Sequence, residues 1–303
     1  MNSSCGLFIG QRELDVRTAR NAREQEQQDL QAARSDNSRD KIYRVVMDAR
    51  SELNPGKRFG EVADIYDQFR TDYPREIFLR ILSAVSPPHN RLVDLGVGTG
   101  KMARGFIGEF DEIVGVEPDV AMAGKLGKLE PRIRARIATA EEVAFPAASV
   151  DLVTVATALH WMDAAAVLSR VTEWLRPGGI FAICGGGFCS PEGAVGEVVK
   201  REFEERWNAY RDPRSKKHFP EEVLRSEPRM SVLEVTTIHD LRTLTATQYT
   251  GYCRSTSFGN AYARSLKDAE GYWRELESRF RAAQPDENIE VDFERFLMLL
   301  KKA

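Results

Sequence analysis

The segment Arg91-Leu92-Val93-Asp94-Leu95-Gly96-Val97-Gly98-Thr99-Gly100 sets a carboxylate inside a short apolar run and then a glycine at every second position. The run reads as a strand, the glycines as a tight turn, and Lys101–Phe110 as the start of a helix. A strand-turn-helix junction of this kind is where α/β folds bind nucleotides. Seventeen positions after Gly100 a second strand-like run, Ile113-Val114-Gly115-Val116, ends in Glu117. An acid at the end of a second strand can accept hydrogen bonds from two ribose hydroxyls. The rhythm is GxGxG, with Lys101 where a dinucleotide fingerprint has its third glycine, which weighs against a nicotinamide-dependent oxidoreductase.

A second place for chemistry lies at Ala158-Leu159-His160-Trp161, just past an apolar, β-branched run at 150–157. His160 can act as a general base, or it can hold a loop or a substrate oxygen by hydrogen bonds. Trp161 can wall an acceptor pocket or plug the core.

These residues need a sheet to hold them. Strand-like runs at 92–95, 113–117, 134–139, 150–157 and 180–184 alternate with helical patterns at 101–109, 119–129 and 163–175. The alternation predicts a doubly wound α/β fold, a parallel sheet covered on both faces. Ahead of it, Val62, Ile65, Tyr66 and Phe69 form one apolar stripe. Ile77, Phe78, Ile81, Leu82 and Val85 form a second, which Pro74 starts. Beyond it, residues 192–211 carry Val195, Val199, Phe203, Trp207 and Tyr210 at helical spacing. Leu233–Ile238 reads as a strand, Thr245 with Gln248 as a capping box, 261–283 as one helix, and 289–300 as a final strand pair.

Residues 11–35 pair Glu13 with Arg17 and Arg20 with Glu24 at helical spacing but carry little apolar surface. Such a helix is a solvated arm, or it packs on another subunit and supports a homo-oligomer. The net charge of -3 gives no electrostatic reason to expect nucleic acid. No apolar run is long enough for a bilayer, and the first ten residues do not read as a secretory leader. Four cysteines, at 5, 184, 189 and 253, lack CxxC spacing. Reduced cytoplasmic thiols and no metal site are the expectation.

The order Asp-x-Gly-x-Gly-x-Gly, then Gly115-Val116-Glu117-Pro118, then Ala140-Glu141-Glu142-Val143-Ala144-Phe145-Pro146 resembles a class I S-adenosylmethionine methyltransferase. Val150-Asp151-Leu152-Val153 and Leu175-Arg176-Pro177-Gly178-Gly179 fill its later motifs. More narrowly, Tyr66-Asp67-Gln68-Phe69-Arg70-Thr71-Asp72-Tyr73-Pro74 and Ala158–Asp163 are similar to the trans-aconitate methyltransferase-like branch. The resemblance is strong over residues 59–184 and holds only in outline beyond. It departs at Val97, where the family has a cysteine or another small residue.

The resemblance implies a seven-stranded, mostly parallel Rossmann-like sheet with an N-terminal helical lid and a C-terminal cap. It implies residues 1–58 as a helical extension and 59–303 as the methyltransferase domain, with cap insertions at about 187–230 and 245–285. S-adenosylmethionine would be the cofactor. Gly96, Gly98 and Gly100 would let the backbone approach it, and Asp94 would face its cationic amino-acid end directly or through water. Glu117, followed by Pro118, would take the ribose. Ala140 and Glu141 would lie along the adenine, Ala156 along the methionine part, and Tyr66 and Arg70 in the lid. The acceptor, a carboxylic acid or a secondary metabolite methylated on O, N or C, would meet His160, Trp161, Phe188, Tyr249, Tyr252, Arg254 and Phe258. Tyr249 and Tyr252 share a helical face that serves equally as core, and the basic loop Arg211–Lys217 serves equally as solvated surface. The rival readings are the nicotinamide oxidoreductase and a non-catalytic S-adenosylmethionine-binding scaffold.

Overall fold

Leu92, Val93 and Leu95 are fully buried because the strand that carries them has neighbours on both sides and helices on both faces. The computed structural model describes residues 63–216, 221–286 and 288–303. The helical extension expected over 1–58, and Lys217 of the basic loop, lie outside the described residues.

Two helices lead in, α1 (Ala63–Phe69) and α2 (Arg75–Ala84), with Pro74 in extended backbone at the N-cap of α2. The alternation then runs β1 (Arg91–Leu95), β2 (Glu112–Val116), α3 (Val120–Leu129), β3 (Ile133–Arg136), β4 (Val150–Ala156), α4 (Ala164–Trp174) and β5 (Leu175–Gly185). After it come α5 (Gly193–Glu205), α6 (Glu221–Arg225), β6 (Met230–Ile238), β7 (Leu241–Leu244), α7 (Ala246–Arg254), α8 (Ser257–Arg264), α9 (Ala269–Ala283), β8 (Ile289–Asp292) and β9 (Arg295–Lys302).

The main sheet has seven strands in the order β3-β2-β1-β4-β5-β9-β6. Strands β1 to β5 pair in parallel, and β9 lies antiparallel between β5 and β6. The chain winds outward from β1 to β3, then returns to build from β4. That reversal opens a crevice at the carboxyl ends of β1 and β4, where ligands of doubly wound sheets bind. One face of the sheet is sealed by α4 through Val167, Leu168, Val171 and Trp174. The other is sealed by Ile77 and Ile81 of α2 and Leu126 of α3. A third cluster joins α5, α7, α8, α9 and β8.

Four local expectations are corrected. Residues 101–110 form only a 3₁₀ turn, Ala103–Phe106, instead of a helix. Gly108 turns to φ 92°, outside helical backbone, and Gly105 lies so close to the Phe78 ring that a Cβ would not fit. The single helix over 261–283 is two, because Asp268 starts α9 afresh by accepting a hydrogen bond from Gly271 N at 2.7 Å. The helix over 192–211 stops at Glu205 and tightens into a 3₁₀ turn, Trp207–Tyr210. The final strand pair is no pair: β8 joins β7 in a small sheet, whereas β9 enters the main one. The capping box forms as predicted, with Gln248 N donating to Thr245 Oγ1 at 3.2 Å and Thr245 N to Gln248 Oε1 at 2.9 Å.

Candidate active site

The glycine loop is shaped by close packing as much as by turn chemistry. Gly96 has φ 66°, and a Cβ there would stand 2.6 Å from Ala158 Cβ. Gly100 has φ 90°, and its Cβ would stand 2.6 Å from Leu126 Cδ1. A side chain is strained at both positions by the positive φ, and at Gly96 the fixed Ala158 Cβ adds a clash. Gly98, at φ 56°, faces only Met122. Val97, the departure from the family pattern, is buried and fills the space left open by Gly115, whose added Cβ would lie 2.8 Å from Val97 Cγ1. The hydroxyl of Thr99 is buried with no hydrogen-bond partner.

Two carboxylates frame this loop. Asp94 is 1% exposed and accepts a 2.7 Å hydrogen bond from Thr154 Oγ1 across the β1–β4 pair. Burial pushes its pKa up to about 7, against the Thr154 hydroxyl and the Ala103 amide, which hold it down. Asp94 thus anchors the turn from inside the sheet through these two hydrogen bonds. Glu117 accepts from Gly98 N at 2.9 Å on Oε2 and from Asp119 N at 3.0 Å on Oε1. Burial raises its pKa, and those two amides oppose the shift. A carboxylate has about four acceptor sites, so two remain for hydroxyl donors. Pro118 is exposed beside it, and Asp119 caps α3 through Ala121 N and Met122 N.

Ala140 is buried, and the Glu141 carboxylate accepts from Asp163 N at 2.8 Å. That bond joins the turn after β3 to the N-terminus of α4. Ala156 ends β4, opposite Cys184 of β5. Thr157 follows at φ 55°, a strained value for a β-branched residue. Its amide donates to Cys184 O at 2.8 Å, and its hydroxyl lies 3.2 Å from Tyr73 Oη. The next turn, Leu159–Trp161, lines a cavity of about 1710 Å³. A pocket for one ligand commonly has about 300–1,000 Å³.

His160, Trp161, Phe188 and Phe258 line this cavity, as does Arg70. The His160 and Trp161 rings lie 4.8 Å apart, and the Arg214 guanidinium covers Trp161 at 4.8 Å. Burial lowers the His160 pKa, and nearby Asp212 opposes this while Arg214 adds to it. The shift favours the neutral imidazole, which can accept a proton or a hydrogen bond through one ring nitrogen and donate through the other. Arg70 sits 5.4 Å from the Tyr66 ring and 5.0 Å from that of Tyr252. Ala158 both lines the cavity and closes on Gly96, so cavity and glycine loop share a wall.

Three expected acceptor residues are elsewhere. Tyr249 and Tyr252 are 0% and 2% exposed, and their hydroxyls bond the backbone of Cys189 at 3.1 and 3.0 Å. They are core, because α7 is packed on α1 and α9. Arg254 pairs with Glu270 away from the cavity. Conversely, Lys200 and Phe203 of α5 do line it, as do Arg211 and Arg214. Phe203 sits on the apolar stripe legible in the sequence, but nothing in that stripe marks which end faces a cavity.

Residues 93–183 match the family model described as "Methyltransferase domain". An uncharacterized methyltransferase of Mycobacterium tuberculosis is 37% identical over 121 residues, 40% of this chain and 49% of that protein. Trans-aconitate 2-methyltransferase of Deinococcus radiodurans is 33% identical over 126 residues, 40% of this chain and 47% of its own. The chain thus spans about half the length of these curated relatives. A solved structure from Anaeromyxobacter dehalogenans, named as a type II methyltransferase, superposes with a TM-score of 0.61 at 24% identity, over 77% of this chain and 97% of that one. These matches are to methyltransferases and favour that reading over the oxidoreductase one. Residues 93–183, which hold the glycine loop, Glu117 and His160, are thus similar to a methyltransferase domain, and the doubly wound sheet is the fold shared with the Anaeromyxobacter structure.

Proposed function

We propose that this protein transfers the methyl group of S-adenosylmethionine to a small-molecule acceptor bound in the cavity beside His160. The observation that carries the reading is the join between the two cradle elements: the Glu117 carboxylate is tied to the Gly98 amide and keeps two acceptor sites spare. An unpartnered buried Thr99 hydroxyl in the same loop fits the same ligand.

In this reading Glu117 holds the ribose hydroxyls, and Ala140 and Glu141 flank the adenine. Gly96, Gly98 and Gly100 give the backbone approach, with Asp94 fixing their turn. Ala156 lies along the methionine part, and Tyr66 and Arg70 close over it. When bound, the cofactor supplies a sulfonium-activated methyl carbon open to in-line displacement. The chain's own work is alignment, which contributes roughly 7–11 kcal/mol in well-oriented reactions. His160, whose neutral form burial favours, donates its ring N–H to an oxygen of the acceptor and sets its angle. Trp161, Phe188 and Phe258 exclude water around it. The Deinococcus relative's name favours a carboxylic acid as acceptor, and methylation on oxygen follows for that class. A carboxylate needs no base, in keeping with His160 as a positioning group.

The test is incubation of the purified chain with methyl-labelled S-adenosylmethionine and a metabolite extract of the source organism, with mass spectrometry of labelled products. One methylated small molecule, absent in a Glu117→Ala control, is the expected result. Label found only in macromolecules, or none at all, would overturn the reading.

A further inference from the structure

Two guanidinium groups beside the cavity meet no acid among the described residues. Arg295 is 8% exposed, and its Nη2 donates to Thr71 Oγ1 at 2.5 Å. Its Cζ lies 5.4 Å from the ring centres of both Tyr73 and Phe293. Arg70 is similarly set against Tyr66 and Tyr252. In each, Nε is buried without a hydrogen-bond partner. Aromatic rings satisfy the flat faces of a guanidinium and leave its in-plane N–H donors unmet.

The two groups converge. Tyr252, against Arg70, and Phe293, against Arg295, pack edge to face with centres 5.1 Å apart. Thr71 and Tyr73, which hold Arg295, follow Arg70 directly in the chain. Burial raises the pKa of the Cys189 thiol, and both guanidiniums act on that one group to oppose it. Arg295 opens β9 at the carboxyl edge of the parallel strands, one residue before Phe296, which pairs with Gly185 and lines the cavity. Gly186, also in the cavity wall, leaves Arg295 within reach: a Cβ there would stand 3.4 Å from Nη1.

Two like charges, both partly dry and neither paired, are stabilised by an anion placed between them. We propose that Arg295 and Arg70 together form a receptor for a carboxylate of a ligand in this cavity, which makes Arg295 a binding residue. The proposal rests on the methyl-transfer reading for its ligands. The carboxylate belongs either to the amino-acid end of the methyl donor or to the acceptor, and both present the planar anion that a guanidinium fork fits.

Calorimetric titration of the full chain, with Arg295→Gln and Arg295→Lys variants, separates the sources. The probes are S-adenosylhomocysteine and 5′-methylthioadenosine, which shares its adenosine and sulfur but has no carboxylate. Thermal unfolding of the S-adenosylhomocysteine complex is then followed with added succinate or benzoate against sodium chloride of equal ionic strength. If the donor's carboxylate is held, Arg295→Gln weakens S-adenosylhomocysteine about 10- to 100-fold and leaves 5′-methylthioadenosine unchanged. If the acceptor's is held, both nucleosides bind as before, and the stabilisation by succinate or benzoate is lost in Arg295→Gln. In either case Arg295→Lys recovers part of the effect. Equal weakening of both nucleosides, or no change in any response, overturns the proposal and leaves Arg295 as a strut for residues 70–73. A wild-type chain that binds neither nucleoside sinks the methyl-transfer reading instead, and the carboxylate response then decides the arginine pair alone.

Discussion

Glu117 Oε2 accepts a 2.9 Å hydrogen bond from the Gly98 amide, so the acid that follows β2 is joined to the middle glycine of the loop that follows β1. The two halves of the cradle come from adjacent parallel strands, and this bond fixes the distance between them. Glu117→Gln sets an amide N–H₂ against one of two backbone donors and removes the charge. S-adenosylhomocysteine affinity is expected to fall about 10- to 100-fold, the size of a lost hydrogen bond to a charged group. Calorimetric titration checks this, and an unchanged dissociation constant would remove Glu117 from the site.

Gly96 and Ala158 form a second such pair. Gly96→Ala places an L side chain at φ 66°, a strain of roughly 1–3 kcal/mol, before any clash with Ala158 Cβ. Ala158→Gly in the same chain relieves the clash and leaves the strain. Urea unfolding of the two single variants and the double variant is expected to show a favourable coupling energy. Strict additivity would mean that the loop moves instead.

Asp94 gives a signature in pH. Its pKa is raised in the folded state to about 7 from the ordinary 3.8. A raised folded value means that the folded state binds the extra proton between those limits, so this contribution is full below pH 3.8 and is lost as pH rises through 7. Asp94→Asn removes the titration. Its melting temperature relative to the wild type is expected to climb between about pH 4 and 7 and to level off above. A difference that is flat across that range would contradict the burial of a protonated carboxyl.

His160 separates positioning from base catalysis. Burial lowers its pKa below 6.5, so activity is expected to hold through neutral pH and to drop only on a more acidic limb. His160→Gln can still hydrogen-bond but cannot take a proton. With the acceptor in hand, KM is expected to rise while kcat stays within about tenfold. A kcat loss of about 10²–10⁴-fold would make His160 the base.

Glu202 steadies the wall behind the cavity. It is 1% exposed and accepts from Arg206 Nη1, from Arg279 Nη1 at 2.5 Å and from Tyr272 Oη at 2.8 Å. Tyr272 Oη in turn accepts from Trp207 Nε1 at 2.8 Å. Glu202→Ala leaves these donors unmet, and a loss of about 1–3 kcal/mol is expected by chemical unfolding. No change in stability would show that water replaces the carboxylate.

Much of the cradle was legible because its chemistry is local. An apolar run with glycines at every second position can hardly be anything but a strand and a turn, and Gly96, Gly100 and Glu117 follow from it. The structure leaves Tyr249, Tyr252 and Arg254 outside the cavity lining, which their spacing did not show. The β1–β4 register sets Thr154 opposite Asp94, a partner that only the fold supplies. Tyr249 and Tyr252 look like a pocket stripe until α7 is seen to pack on both sides.

The sequence by itself determined the alternating strands from β1 to β5, the glycine turn and the acid beside it, since each depends on neighbours a few residues away. Tertiary structure alone decided which strand closes the sheet and what meets at the cavity. β9 forms the last ladder and brings Arg295 to Thr71, 224 positions apart. No local pattern marks that approach, because it is the burial of β9 between β5 and β6 that carries a charged side chain to the site.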